Sequence, residues 1–577
     1  MKKSLICLII SIFLLLPIIS AATINAPSCS YSDVSAAVNI ANYGDTILVP
    51  AGTCVWDKIL TITKGITLQG AGIDKTIIKS DGPSGTGVYT IEFNADQTTA
   101  TNDYPFHLSG FTFQQISSLY GSLELTNQDI TKALTKVVIH DNKFIGRTGS
   151  GIGIVHNHGV FGVIYNNTIQ DVSHAWRFLG GPTGWNQVEE WVPGTGNAMY
   201  YENNYIYLTD DYSSSLIVSG GAGNRYVARY NTINLSKRGS TVFAQSYDIH
   251  GNQENNPTGG IGLELYGNHR IGTNGRWIDH RGGQVFFFFN RWSGSSGTGS
   301  LNIWEEYNDD NFMVVFCPEG TRYGRTADGN CIQRPRESYY WRNYGGVNGI
   351  TLSNTLNILF DHYNRANGIL NDPFLLFEND GWFRDNTRAF DGTIDGVGSC
   401  GYYNGNACTK SGVGCGTLAE MNAITPTASG LGFWVTNQSC TDLTRMTGRN
   451  PTVPLFGTLY RAEKNSVGNY EWVAYYTPYI YPHPLSVAPS GTNICGEGEI
   501  TNECWCEGLK TIGYCYNGYY YSEEGERIIP PPAEEEQPPL GGVATLQDML
   551  NSYQRYKRNE VSLLYFLDKL RSWIIFR

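Results

Sequence analysis

Between residues 245 and 283 the sequence concentrates side chains able to move protons. QSYDIHGN supplies Asp248 and His250, ELYGNHR supplies Glu264, Tyr266, His269 and Arg270, and RWIDHRGG supplies Asp279, His280 and Arg281. Carboxylates and imidazoles trade protons near neutral pH, and guanidinium groups hold anions. Acid–base chemistry of this kind takes different forms on different substrates, and a sugar polymer would admit two. A lyase acting on a uronic acid must neutralise the carboxylate, remove the neighbouring proton and protonate the leaving oxygen, work that Arg, His and Tyr can share. A hydrolase needs two carboxyl groups about 5–9.5 Å apart, and Asp248, Glu264 and Asp279 can supply the pair. A non-catalytic glycan binder needs only an aromatic groove. The sequence holds no Ser-His-Asp elbow, phosphate loop or zinc-protease motif.

A short repeat must position these groups. From Val137 to Trp292 an apolar or aromatic strand ends in Asn six times: VVIHDNKF, GVIYNNTI, MYYENNYI, YVARYNTI, LELYGNHR and VFFFFNRW. The asparagines are Asn142, Asn167, Asn204, Asn231, Asn268 and Asn290, spaced by 25, 37, 27, 37 and 22 residues. Such periods indicate a solenoid. Three residues before each Asn stand Ile139, Ile164, Tyr201, Ala228, Leu265 and Phe287, a column expected to point inward with the column five before. Alternation along a strand then sends His140, Tyr165, Glu202, Arg229, Tyr266 and Phe288 outward. The asparagines are read as a structural ladder, placed at a bend because Asn tolerates left-handed backbone angles and bonds nearby main chain.

Two rungs are long. QDVSHAWRFLGGPTGWNQVEEWVPGTG follows Asn167, and LSKRGSTVFAQSYDIHGNQENNPTGG follows Asn231. Insertions in a solenoid become flanking loops that build binding faces. With one short rung between them, their roots should lie ~10 Å apart and wall one groove. Trp176, Trp185 and Trp191 on the first loop either stack on sugar rings or pin the loop. Glu202, Arg229 and Tyr266 should form an outward ladder flanking that groove, the guanidinium facing an acidic sugar and the phenol ring stacking on it. Arg270 falls in an otherwise apolar inward column, and a local bulge carrying Ile271 inward is expected there.

Residues 1–22 read as a secretory signal peptide, with two lysines, an apolar run and small residues before the cleavage point. The mature chain is then expected to be secreted or held at the cell surface, without a transmembrane span. Its net charge moves from −12 to −14 once Lys2 and Lys3 leave, which argues against nucleic acid as a partner. Twelve cysteines remain, an even number that favours disulfides in an exported chain. Proximity pairs Cys29 with Cys54 and Cys317 with Cys331; the connectivity within 400–440 and within 495–515 stays open.

Further along, SCSYSDVSAAVNIANYGD suggests an N-terminal cap helix with Val34, Ala37, Val38 and Ala41 on one face. Residues 23–490 should form the solenoid, its later rungs irregular and interrupted by a disulfide-stapled excursion over 400–440. Residues 491–521 form a small Cys-rich module whose CWC triplet suits a disulfide knot better than a zinc ribbon. Residues 522–542 are a stiff Pro/Glu linker, and 543–577 carry two helical stripes, a hairpin suited to docking on a protein or envelope partner.

The cap segment, ITLQGAG and HLSGFTFQ resemble the secreted right-handed parallel β-helix proteins of the pectin-lyase-like superfamily, over about Cys29 to Leu485. YYTPYIYPHPL is similar to the closing signature of an uncharacterised branch of it. The resemblance implies an all-β right-handed parallel β-helix acting on a polysaccharide or cell-surface glycan. A lyase or related glycan-cleaving enzyme leads, and a non-catalytic adhesin or glycan-binding structural protein is the alternative. WIDH also resembles a motif of one pectate lyase family and implies a calcium role there, although Arg281, Gly282 and Gly283 depart from that family's continuation. No other cofactor is implied.

Overall fold

The structure, a computed structural model, describes residues 21–486 apart from 83–84, 118, 130–131, 148–151, 158, 180–191, 210–213, 220–224, 237–243, 250–259, 273–275, 295–299, 305–336, 346–350, 353–355, 360–381, 387 and 396–407; beyond these it describes 500–506, 509–516 and 519–521. The chain divides into two units, Met1–Ser486 and Val487–Arg577. The signal segment, the linker and the proposed helical hairpin lie outside the described residues, as do His250, Trp185, Trp191, Cys317 and Cys331.

The first unit is a right-handed parallel β-helix. Its three long sheets follow the coil, with 12 strands from Thr23–Asn25 to Trp382–Arg384 in the first, 10 from Leu60–Ile62 to Leu356–Leu359 in the second and 11 from Gly52–Trp56 to Thr351–Leu352 in the third. Strands pair in parallel because each successive turn lies one strand spacing above the last. The exception is Tyr344–Gly345 with Thr351–Leu352, which is antiparallel.

The expected inward column is present. Ile139 pairs with Ile164, then Tyr201, Ala228, Leu265 and Phe287 follow in unbroken register, all buried. Removing such side chains from water on every rung is the main stabilising term of the coil.

The asparagine ladder runs through Asn142, Asn167, Asn204, Asn231, Asn268 and Asn290 and gains a seventh member, Asn343. In the first six, Nδ2 donates to the next Asn Oδ1 and to a main-chain carbonyl of the rung before: Asn231 Nδ2 reaches Asn268 Oδ1 at 3.0 Å and the Tyr201 carbonyl at 3.0 Å. The left-handed backbone lies one residue earlier than expected, at Asp141, Asn166, Asn203, Tyr230, Gly267, Phe289 and Arg342. Asn is needed here for its amide, which satisfies buried polar groups at the bend.

Helix Tyr31–Ile40 caps the N-terminal end with Val34, Ala37 and Val38 buried and Ser30 as its N-cap, and Ala41 is buried just after it. The Cys29–Cys54 disulfide ties this cap to the first rungs.

Residues 413–476 do not continue the coil. They form a four-stranded sheet, Val413–Gly416, Gly432–Val435, Thr458–Lys464 and Tyr470–Tyr476, stapled by Cys415–Cys440. This sheet and the residues after it cover the outer face of the first sheet, where Val138, Val163, Tyr200, Val227, Phe286, Phe288 and Trp341 join Trp434, Leu459 and Tyr476 in a second apolar cluster. VFFFF, Val285 to Phe289, is apolar at every position because that strand is buried on both faces.

In the second unit, Ile500–Cys506, Leu509–Tyr516 and Tyr519–Tyr521 form a three-stranded antiparallel sheet.

Candidate functional site

Glu202, Arg229 and Tyr266 stack on consecutive rungs and face outward from the coil. They do not border an open groove. Their exposures are 0%, 0% and 1%, because residues 476–486 lie across them. Arg229 Nε and Nη2 both reach Glu202 Oε2 at 2.8 Å. Its Nη1 donates to Tyr266 Oη at 3.0 Å and to the Tyr479 carbonyl at 2.7 Å, and Nη2 donates to the Ile480 carbonyl. The guanidinium lies 4.7 Å from the Tyr200 ring and 5.3 Å from that of Tyr481. Glu202 Oε1 accepts from the His483 amide and the Ser486 hydroxyl. The YPHPL segment is therefore a strap, and the charged ladder is what it latches onto.

Glu264, in the neighbouring outward column, belongs to the same enclosure. It accepts from the Gly194 amide at 2.7 Å and the Tyr476 hydroxyl at 2.5 Å. Burial pushes its carboxyl up to about 7, against the pull of these two donors and of Arg229. Glu264, Arg229 and Tyr266 thus act inside the fold and do not meet a polymer at its surface.

Two further expectations change. Trp176 lies in strand His174–Leu179 with its ring in the core, 4.2 Å from that of Tyr201, and offers no stacking platform. His280 is fully buried; Nδ1 bonds the Tyr340 hydroxyl and Nε2 bonds the Gly283 carbonyl, while burial lowers its pKa to about 4. A neutral imidazole held inside the coil has no route to a sugar. Arg270 also points inward, without a bulge: Ile233, Arg270 and Trp292 pair in sequence, and the guanidinium packs 4.8 Å from the Trp292 ring. A delocalised cation over an indole face is the form of charge this interior tolerates.

Asp248, Asp279 and Arg281 are brought together on the second sheet. Asp248 and Asp279 are register partners on adjacent strands. Arg281 forks onto Asp248, Nε to Oδ1 at 3.0 Å and Nη2 to Oδ2 at 2.5 Å. The guanidinium supplies the positive charge that a calcium ion would bring, so these residues do not fit a calcium site. Among the described residues no group of three or more His, Cys, Asp or Glu side chains is placed to hold a metal.

The same outward column of the second sheet carries a group that the repeat alignment missed. Its register runs Thr61, Glu92, Glu124, Val155, Arg177, Val218, Asp248 and Asp279. Glu92, Glu124, Tyr120 and Arg177 are partly exposed, and Tyr89 lies beneath them. Thr61 Oγ1 donates to Glu92 Oε2 at 3.2 Å. Tyr89 hydrogen-bonds Glu124 and meets Tyr120 edge to face at 5.7 Å, and Arg177 Nη1 donates to Tyr120 Oη at 2.5 Å. Burial, then the nearby Glu92 charge, raises Glu124 to about 7 although the Tyr89 bond opposes this. The signal was present in YTIEFNA and GSLELTN, where one Glu sits between two apolar residues at matching positions.

No family model and no curated protein matches the chain. Among solved structures it is similar to ORF18 of Geobacillus virus E2, with 13% identity and a TM-score of 0.30 over 84% of this chain and 83% of that one. It is also similar to the A-module of the Azotobacter vinelandii mannuronan C-5 epimerase AlgE6, with 14% identity and a TM-score of 0.27 over 57% of this chain and 91% of that one. Neither similarity is close enough to transfer a residue role or an activity.

Proposed function

We propose that this chain is an exported polysaccharide-active protein that cleaves a glycan laid along the outward face of its second sheet. The observation that carries the reading is the partly exposed group on the second sheet formed by Glu92, Glu124 and Arg177 of one register column, with Tyr120 beside them. Three strand spacings of ~4.8 Å put Arg177 about 14 Å from Glu92 along the sheet. A periodic linear surface suits a periodic linear ligand. The first sheet's outer face is occupied by the chain's own strap and cover.

Cleavage is favoured over adhesion because Glu124 holds a proton near neutral pH beside a second carboxylate, the arrangement general acid–base chemistry requires. The β-elimination reading, which asks Arg, His and Tyr side chains to share the work, keeps less support, since Arg281 is paired with Asp248 and His280 is buried. Export rests on the leader-like residues 1–22. Among the described residues no helix is long and apolar enough to cross a membrane.

The test is incubation of the whole protein with alginate, polygalacturonate, xylan, mixed-linkage β-glucan and chondroitin, following new reducing ends and the ultraviolet absorbance of unsaturated ends in parallel. Cleavage of at least one polymer is expected. Retention of a polymer without any new ends would replace this reading with the adhesin.

A further inference from the structure

We infer that Glu92 and Glu124 are the nucleophile and the acid–base of a retaining glycoside hydrolysis, an inference that rests on the glycan-cleaving function proposed above. The argument is one of spacing. Glu92 and Glu124 are direct register partners on adjacent parallel strands, so their backbones are ~4.8 Å apart and their side chains leave the sheet side by side. Carboxyl groups about 5–5.5 Å apart suit attack by one carboxylate on the sugar itself, whereas the inverting route needs about 6.5–9.5 Å to seat a water between them. The one-rung spacing of Glu92 and Glu124 suits the first condition, whereas carboxyl groups two rungs apart, at ~9.6 Å, would suit the second.

The surroundings separate the two roles. Glu92 is held by the Thr61 hydroxyl, a neutral donor that steadies an anionic oxygen without consuming its charge. Glu124 lies over Tyr89, whose hydroxyl bonds it from below. Its carboxyl is raised by desolvation and by Glu92, which keeps a proton available at neutral pH. Asp248 and Asp279 are also adjacent-rung partners, but both are buried and Asp248 is bound by Arg281 at both oxygens. Arg177, held by Tyr120, stands two rungs beyond Glu124, where it can receive a neighbouring sugar's anionic or hydroxyl groups.

In the first step the Glu124 carboxyl gives its proton to the glycosidic oxygen, the bond from that oxygen to the anomeric carbon breaks, and a Glu92 oxygen bonds to that carbon as an ester. In the second, Glu124 takes a proton from water, the water oxygen bonds to the anomeric carbon, and the ester breaks to restore the Glu92 carboxylate. One water is consumed and both side chains return to their starting protonation.

The experiment uses the full chain and whichever of the five polymers it cleaves. Proton NMR of the first-formed reducing ends, with methanol added as a competing acceptor, should show the starting anomeric configuration and a methyl glycoside. Glu92→Gln and Glu124→Gln should each lower turnover at least 100-fold with an unchanged melting temperature. With azide present, Glu92→Gly should form a glycosyl azide of inverted configuration from the polymer, and Glu124→Ala one of retained configuration from the matching dinitrophenyl glycoside, whose leaving group needs no proton. Inverted product, unsaturated ends, or turnover surviving both Gln substitutions would overturn the assignment and leave the glycan-cleaving function standing. Cleavage of none of the polymers would overturn both.

Discussion

Arg229 Nη2 donates to the carbonyl of Ile480 at 2.8 Å, across a separation of 251 residues. The guanidinium that emerges from the middle of the coil is completed by the last residues of the first unit. Its other donors go to Glu202 and Tyr266, so three consecutive rungs and the strap share one cation.

Breaking that junction from one side should be costly. Removing one partner of a buried ion pair leaves the other charge uncompensated, at about 3–5 kcal/mol. Arg229→Leu should lower the melting temperature strongly and expose residues 476–486 to protease. Arg229→Lys should recover little, because a point ammonium cannot reach Glu202, Tyr266 and two carbonyls together. A melting temperature unchanged in Arg229→Leu would show that the strap is held elsewhere.

The asparagine ladder makes a second stability prediction. Asn231→Ala removes the acceptor for the Asn204 amide and side chain and the donor to Tyr201 and Asn268. Each buried polar group left unsatisfied costs about 1–3 kcal/mol. The substitution should destabilise the coil by roughly 2–4 kcal/mol in chemical denaturation, well above the effect of an exposed Asn→Ala change.

Glu264 sets a pH dependence. Its folded pKa, about 7, lies above the usual carboxylate value of 4.5. The native state therefore binds its proton more tightly than the unfolded state, and this contribution is complete below about 4.5 and lost as pH rises through about 7. Stability of the natural protein relative to Glu264→Gln should fall across that window. Urea melts at several pH values would measure the difference, and a flat difference would contradict the raised carboxyl. Buried histidines act in the opposite sense: His280 and His483 are lowered to about 4 and about 3, so their contribution is present above about 6.5 and lost on acidification.

Trp176→Ala separates packing from binding. The ring is core, so a loss of about 3–5 kcal/mol of stability is expected, with glycan affinity per folded molecule unchanged. A selective loss of binding at full stability would restore the stacking role read from the sequence.

For the proposed reaction, turnover should fall as pH rises through about 7, where Glu124 loses the proton it must donate. Glu264→Gln should leave the position of that limb unchanged, because Glu264 lies under the strap on another sheet.

The inward columns could be read before any coordinates because side-chain alternation and the Asn positions fix the register. Ile139, Ile164, Leu265 and Phe287 follow from that alone. Glu202, Arg229 and Tyr266 were placed on the correct face but given the wrong environment: alternation says which way a side chain leaves a strand and nothing about what a segment 250 residues away lays over it. Arg270 shows the reverse: a bulge would spare the core a charge, yet the strand stays in register and the Trp292 ring accommodates the guanidinium. Glu92 and Glu124 are not legible from the repeat because the asparagines mark only the first sheet's strand of each rung, and the second sheet carries no such marker.

The strap also orders events in time. A coil of stacked turns can grow rung by rung as the chain is made, each turn templating the next. The outer face of its first sheet cannot be finished that way: the apolar rows wait for residues 413–476, and Glu202 and Arg229 wait for residues 479–486. Until those arrive, a wide apolar surface with a charge pair at its centre stays open to solvent. Stability of the central rungs is withheld until the final stretch of the unit has been delivered, because a chain cut short before Tyr479 lacks the carbonyls of Tyr479 and Ile480 and the His483 amide that close over Arg229 and Glu202.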